Sequence, residues 1–174
     1  MLAPDFAVNP IERLEHDHVP LGELVGALRS LLNTVAREER SPADVYGEVS
    51  ETVAQLRDDL LEHFGREEEG FFPFLLEALP DAEGRLAELS SAHDTLCGSL
   101  TRLTYLASRG AGAFIEQFRQ VEALFERFES LYVEHARDER ATRASGPRCS
   151  KRPGGCSSLI APRAARSGPG AALA

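Results

Sequence analysis

Residues 114–139 read FIEQFRQVEALFERFESLYVEHARDE, and the apolar positions of this stretch decide the fold class. Phe114, Phe118, Val121, Phe125, Phe128 and Tyr132 succeed one another at steps of four and three, and His135 and Glu139 continue the same row. Such steps keep side chains on one face of a helix, whereas a strand alternates every second residue. The row predicts a long helix with an apolar seam of the kind that packs against other helices. It also sets an imidazole and a carboxylate four residues apart on that seam, one turn from each other.

The same arrangement recurs upstream. Leu56 and Leu60 precede His63 at −7 and −3, as Phe128 and Tyr132 precede His135, and Glu67 follows His63 at the spacing at which Glu139 follows His135. Two further histidines sit alone in apolar rows. Around His18 the row is Ile11, Leu14, Leu21, Val25, Leu28 and Leu32; around His93 it is Leu86, Leu89, Leu96, Leu100, Leu103 and Ala107, at identical offsets. The chain therefore reads His, then H-x-x-x-E, twice over.

Punctuation divides these rows into four helices. Asn9-Pro10-Ile11-Glu12 starts the first, which is expected to run to about Arg37. Ser41-Pro42-Ala43-Asp44 opens the second, expected to continue to about Leu79 across Pro73. Pro80-Asp81 introduces the third, roughly 82–108, and Gly110-Ala111-Gly112 separates it from the fourth, 113 to about 140. No stretch has strand periodicity. The expected fold is all-α, an antiparallel up-down-up-down four-helix bundle. Pro20 is expected to kink the first helix or restart it, because proline removes a helical hydrogen bond.

Bulk properties set limits. A chain of 174 residues suits one domain with a sizeable core. Its net charge is −9, and the six cations beyond residue 140 face no acidic residue there, which leaves the first 140 residues at −15. A body so acidic argues against nucleic acid as a partner. No window is apolar enough for a membrane span, and the N-terminus lacks the basic and apolar regions of a signal peptide, so a cytoplasmic protein without a membrane partner is expected. Domain organisation is expected as 1–140 for the helical body and 141–174 for a basic tail rich in Gly, Pro, Ser and Ala, without helical periodicity and expected to be disordered. Cys149 and Cys156 in that tail are a weak zinc signal, and the three cysteines form no disulfide framework.

Four imidazoles and two carboxylates on inward faces of four helices point to a metal site. Any one histidine on an apolar face is most often a hydrogen-bonded core residue. Four in register, with two glutamates that would be costly to bury alone, form a pattern of another kind. Imidazole with carboxylate suits iron, and also manganese or zinc. Six protein ligands for two metals leave coordination positions for O₂, NO, peroxide or water.

These residues resemble the hemerythrin-like (HHE) family, whose pattern H…HxxxE…H…HxxxE lies on an antiparallel four-helix bundle. The likeness covers roughly residues 10–140. Its motifs here are Glu15-His16-Asp17-His18, Ala92-His93-Asp94 and His63-Phe-Gly-Arg-Glu67-Glu-Glu-Gly-Phe-Phe-Pro-Phe74. The resemblance implies an oxo- or hydroxo-bridged di-iron centre with His18, His63, His93 and His135 as terminal ligands and Glu67 and Glu139 as bridges. His16, Glu68 and Cys97 are the reserve candidates; His18 is preferred to His16 for the apolar phase it shares with His93. Two features depart from the family. Oxygen carriers have a second histidine one turn along the third helix, where this chain has Leu89 and Cys97. After Glu139 the family continues with an aromatic-Pro stretch, whereas this chain has Arg140-Ala-Thr-Arg143, so the fourth helix is expected to end soon after its second ligand.

Three readings follow. The first is a protein that binds or senses O₂, NO or peroxide, or handles iron under oxidative or nitrosative stress. The second is a di-iron redox enzyme, ferroxidase or peroxidase-like. The third is a zinc-bound or metal-free helical interaction domain.

Overall fold

The computed structural model describes the backbone of residues 10–144 and the side chains of residues 18–144. The expected cap at Asn9, the side chain of His16, and Cys149 and Cys156 lie outside the described residues. Within them the chain is helical, with no strand. Four long helices carry the structure: α1 (Pro10–Ala36), α2 (Pro42–Arg66), α4 (Glu83–Ser108) and α6 (Phe118–Ala144). Two short ones, α3 (Phe72–Ala78) and α5 (Ala111–Glu116), lie between them. None of the described helices is long and apolar enough to cross a membrane.

Local chemistry explains the ends. The Ser41 hydroxyl accepts from the Asp44 N–H while the Asp44 carboxylate accepts from the Ser41 N–H, a reciprocal capping box with Pro42 at the first helical position. At the end of α1, the Glu39 N–H bonds back to the Thr34 carbonyl and Glu38 takes a left-handed conformation (φ 59°). That is the glycine position of a helix stop, here filled by glutamate. Gly110, with φ 92° and ψ 161°, makes the turn into α5 in a region that only glycine enters readily.

The second and fourth sequence helices are interrupted. At Glu67–Phe71 the backbone widens into a π-helical turn, in which the Phe72 N–H bonds to the Glu67 carbonyl, before α3 begins with Pro73 in its first turn. The physical reason is Pro73: it has no N–H to continue the α ladder, and its ring would strike the carbonyl four residues back. The wider turn keeps Phe64, Glu67, Phe71, Phe72 and Leu75 all buried. The 113–140 helix is instead α5 and α6, broken at Gln117, with Phe114 and Phe118 buried on either side. By contrast, α1 passes through Pro20 as one helix.

Two apolar clusters result. The larger joins α1 (Leu21, Val25, Leu28, Leu32), α2 (Val45 to Phe64), α4 (Leu96 to Leu106) and α5–α6 (Phe114 to Tyr132). The smaller joins Phe71, Phe72, Leu75, Leu86 and Leu89. Fully burying each of these side chains contributes about 1.5–3 kcal/mol. Between the clusters in chain order stand His63 and Glu67 on the α2 side and His93 on α4, while His135 and Glu139 follow the larger cluster on α6. A polar layer is thus held between apolar layers. Helices α2 and α6 run from the larger cluster towards it; α1 and α4 run from it into that cluster.

Glu38→Gly is expected to relieve the left-handed strain and stabilise the protein by roughly 0.5–1 kcal/mol, net of the extra freedom glycine gains on unfolding. Chemical denaturation measures it; an unchanged or lowered midpoint contradicts the assignment.

Candidate metal centre

His63, Glu67, His93, His135 and Glu139 are almost completely buried. They gather into two groups whose potential ligand atoms lie within 4.8 Å of one another. The first contains His18, His63, Glu67 and Glu139; the second contains Glu67, His93 and His135. Glu67 is common to both, and its two oxygens divide between them. Oε1 lies 3.6 Å from His63 Nε2, while Oε2 lies 3.1 Å from His93 Nε2. Glu139 stands with the first group: its Oε2 is 2.7 Å from His18 Nε2 and 4.0 Å from His135 Nε2. All six residues named from the sequence are thus brought together. Cys97 joins neither group; it packs against the larger cluster, and burial, with the charges of Asp94 and Glu68, pushes its thiol pKa up, away from the thiolate a metal requires.

Hydrogen bonding does not account for these side chains. Among the described residues, neither ring nitrogen of His63 or His135 has a hydrogen-bond partner, and the carboxylate oxygens of Glu67 and Glu139 meet His18, His93 and Arg143 as ion pairs, without hydrogen bonds of good geometry. Native interiors rarely leave so many buried polar atoms unmatched in one place. A cation at each group would satisfy inward nitrogens and oxygens together, so the donor set fits divalent metals of the iron, manganese or zinc type.

The protonation states suit that role. Burial pushes the pKa of His63 down to about 4, with Glu67 opposing and the positive fields of His18, His135 and Arg143 adding to it. Burial likewise lowers His135 to about 4. Both are neutral imidazoles at neutral pH, the ligating form. Burial alone would raise the Glu67 carboxyl, but the close approach of His93 and the fields of His63 and His135 outweigh it and hold it below its ordinary range.

His93 is the most firmly placed ring. Phe64 stacks on it at 3.8 Å and 12°, and Phe72 lies at 5.7 Å and 19°. Its Nδ1 is 2.7 Å from Glu68 Oε1, which also accepts from the Ser90 hydroxyl at 2.7 Å. With the Nδ1 proton directed to that carboxylate, Nε2 presents its lone pair to the second group, the arrangement by which carboxylates orient metal-binding histidines. Glu68, a reserve candidate in the sequence, is partly exposed yet reaches back to position His93.

Sequence reasoning missed Arg143. Helix α6 runs one turn beyond its expected end, to Ala144, with Thr142 buried. This places Arg143 four residues after Glu139 on the same face, its side chain only 8 % exposed. The guanidinium pairs with Glu139, lies 3.7 Å from Glu67 Oε1 and 2.5 Å from His18 Nε2, and sits 5.9 Å from the Phe71 ring centre. The available signal was the i, i+4 spacing of His135, Glu139 and Arg143, which the composition of the following tail concealed. Beside the second group, a cavity of about 520 Å³ between α4 and α6 reaches His135, with Glu88, Glu134 and Asp138 on its walls.

The hemerythrin HHE cation binding domain family matches residues 9–142, and the chain belongs to that family. No curated protein and no solved structure matches it.

Two outcomes follow. In the folded metal-free protein His63 and His135 titrate near pH 4 rather than at the ordinary 6.5, so unfolding takes up protons between those values. Stability should therefore be full above about pH 6.5 and fall towards pH 4, each group accounting for about 3 kcal/mol at most. Denaturant midpoints at pH 7, 5.5 and 4 measure this, and a flat profile refutes the burial of neutral imidazoles. Glu68→Ala should weaken metal binding about 10–100-fold by releasing His93, with Glu68→Gln recovering part of it. Equal affinities in both variants and the parent would remove Glu68 from the site's support.

Proposed function

We propose that this chain is a non-heme di-iron protein that binds or senses a small oxidant or diatomic gas, namely O₂, NO or peroxide, or handles iron under the stress those molecules cause. One observation carries the reading: Glu67 directs one oxygen into each of two imidazole-bearing groups, the position a bridging carboxylate needs. On this reading the four long helices form an antiparallel up-down-up-down bundle around the centre, consistent with their alternate directions relative to the polar layer.

The residues divide the work. His18, His63 and Glu139 would hold one cation, His93 and His135 the other, and Glu67 both. Iron bound there supplies one-electron chemistry and open coordination positions for a small ligand. Phe64 and Phe72 flank His93 and exclude bulk water from its ring faces. Glu68 fixes the His93 proton on Nδ1. The cavity between α4 and α6 gives a small molecule, or an entering cation drawn by its acidic walls, an approach to the His135 side. The absent second histidine beside His93, at Leu89 and Cys97, favours sensing or iron handling over plain oxygen carriage.

Iron-loaded protein should hold one cation in each of the two groups and be coloured. His63→Ala should lose the first cation, and Glu67→Ala should lose most of both and the colour with them. Elemental analysis of protein purified without added metal, alongside visible spectra of both variants, decides the matter. Retention of two irons by both variants would show that the metals lie elsewhere, and zinc alone or no metal would select the interaction-domain reading. Reversible ligand binding without product supports the sensor, whereas repeated peroxide turnover or Fe²⁺ oxidation identifies an enzyme.

A further inference from the structure

We infer that Arg143 is a built-in cation that occupies the first of the two metal positions and is displaced when that position fills, so that the centre loads in order, second group first. The inference rests on the metal-binding reading above and concerns a residue to which that reading gives no part.

The geometry is specific to one group. Arg143 approaches His18 Nε2, both carboxylates and the Phe71 ring. Three of these contacts, His18, Glu67 and Glu139, are members of the first group, and the Glu67 oxygen it approaches is Oε1, the one turned towards His63. The second group keeps Glu67 Oε2, His93 and His135.

Charge then orders the binding. The layer holds two buried carboxylates, and the guanidinium pairs with Glu139 at the first group. A guanidinium keeps its charge across the accessible pH range, so no change of pH withdraws it. It is also tethered one helical turn from Glu139, which keeps its local concentration high. A divalent ion entering the second group finds open donors. One entering the first must displace the guanidinium from Glu139 and His18, or lie against a like charge in a poorly screened interior. Arg143 lies in the last turn of α6, where helix ends fray most readily.

The test is equilibrium titration of metal-free protein with Zn²⁺ and separately with Co²⁺, whose visible spectrum reports ligand number. The parent should bind in two resolved steps. Arg143→Gln should tighten the weaker step by roughly tenfold or more and leave the tighter step within about twofold. Arg143→Lys, which keeps the charge without the planar fork, should stay closer to the parent; it serves as the check should Arg143→Gln fold poorly by circular dichroism. Steps unchanged in Arg143→Gln, or a weaker step made weaker still, would overturn the inference while leaving the metal-binding reading intact. Absence of binding in both parent and Arg143→Gln would overturn both. Binding in Arg143→Gln alone would support the inference in its strongest form.

Discussion

Burying Glu67 is the constraint from which the rest of this structure follows. A carboxylate removed from water must find compensating positive charge or donors, or it will not ionise. Here the carboxylate is fully buried, and the close approach of His93 opposes that burial and helps hold it below its ordinary range. The surrounding histidines face the opposite difficulty. Burial keeps His63 and His135 neutral, so they cannot supply full charges themselves. Among protein groups, Arg143 supplies a cation at the first group, whereas the neutral His63 and His135 leave their nitrogens as donors for a metal.

The apolar packing explains how such a layer is tolerated. It lies between two hydrophobic clusters, so its side chains are not free to turn towards solvent. Phe64 belongs to the larger cluster and stacks on His93, while Phe72 belongs to the smaller and lies near the same ring. The widened turn at Glu67–Phe71 has a part in this. By absorbing Pro73 it lets Phe71 and Phe72 both point inward, closing the smaller cluster beside the polar layer. Packing, more than hydrogen bonding, therefore sets the orientation of most of these rings, with Glu68 adding a directional bond only at His93.

Periodicity made the all-helical body legible from residues alone, since steps of three and four appear around each of the four buried or half-buried histidines. It also identified the six residues of the two groups, because inward position is what periodicity reports. Backbone events that depend on a few hydrogen bonds were not legible. The π-helical turn before Pro73 and the break at Gln117 leave the apolar row intact, so the row carries no trace of them. The contact of Glu68 with His93 was not legible either, because a partly exposed residue can still fold back onto a ring of another helix. Arg143 was misread for another reason: its row continues for a single position into a segment whose glycines, prolines and basic residues resemble a solvated tail.

Arg143 changes what the two halves of the site mean. In sequence they are near copies, each a lone histidine followed by H-x-x-x-E. In the fold they are unequal. In one, His93 lies beside two phenyl rings and is aligned by Glu68; the other is slightly exposed at His18 and shared with a guanidinium. At an effective dielectric constant near 20, unit charges about 4 Å apart attract by about 4 kcal/mol, and a dication in the same place gains about twice that before its dehydration is counted. Dehydration is the larger loss for a small divalent ion, whereas the guanidinium is weakly hydrated and already attached to the helix. The contest is therefore close, and a free-metal concentration, not an irreversible folding event, would set its outcome. A centre built this way could hold one metal firmly and register the second.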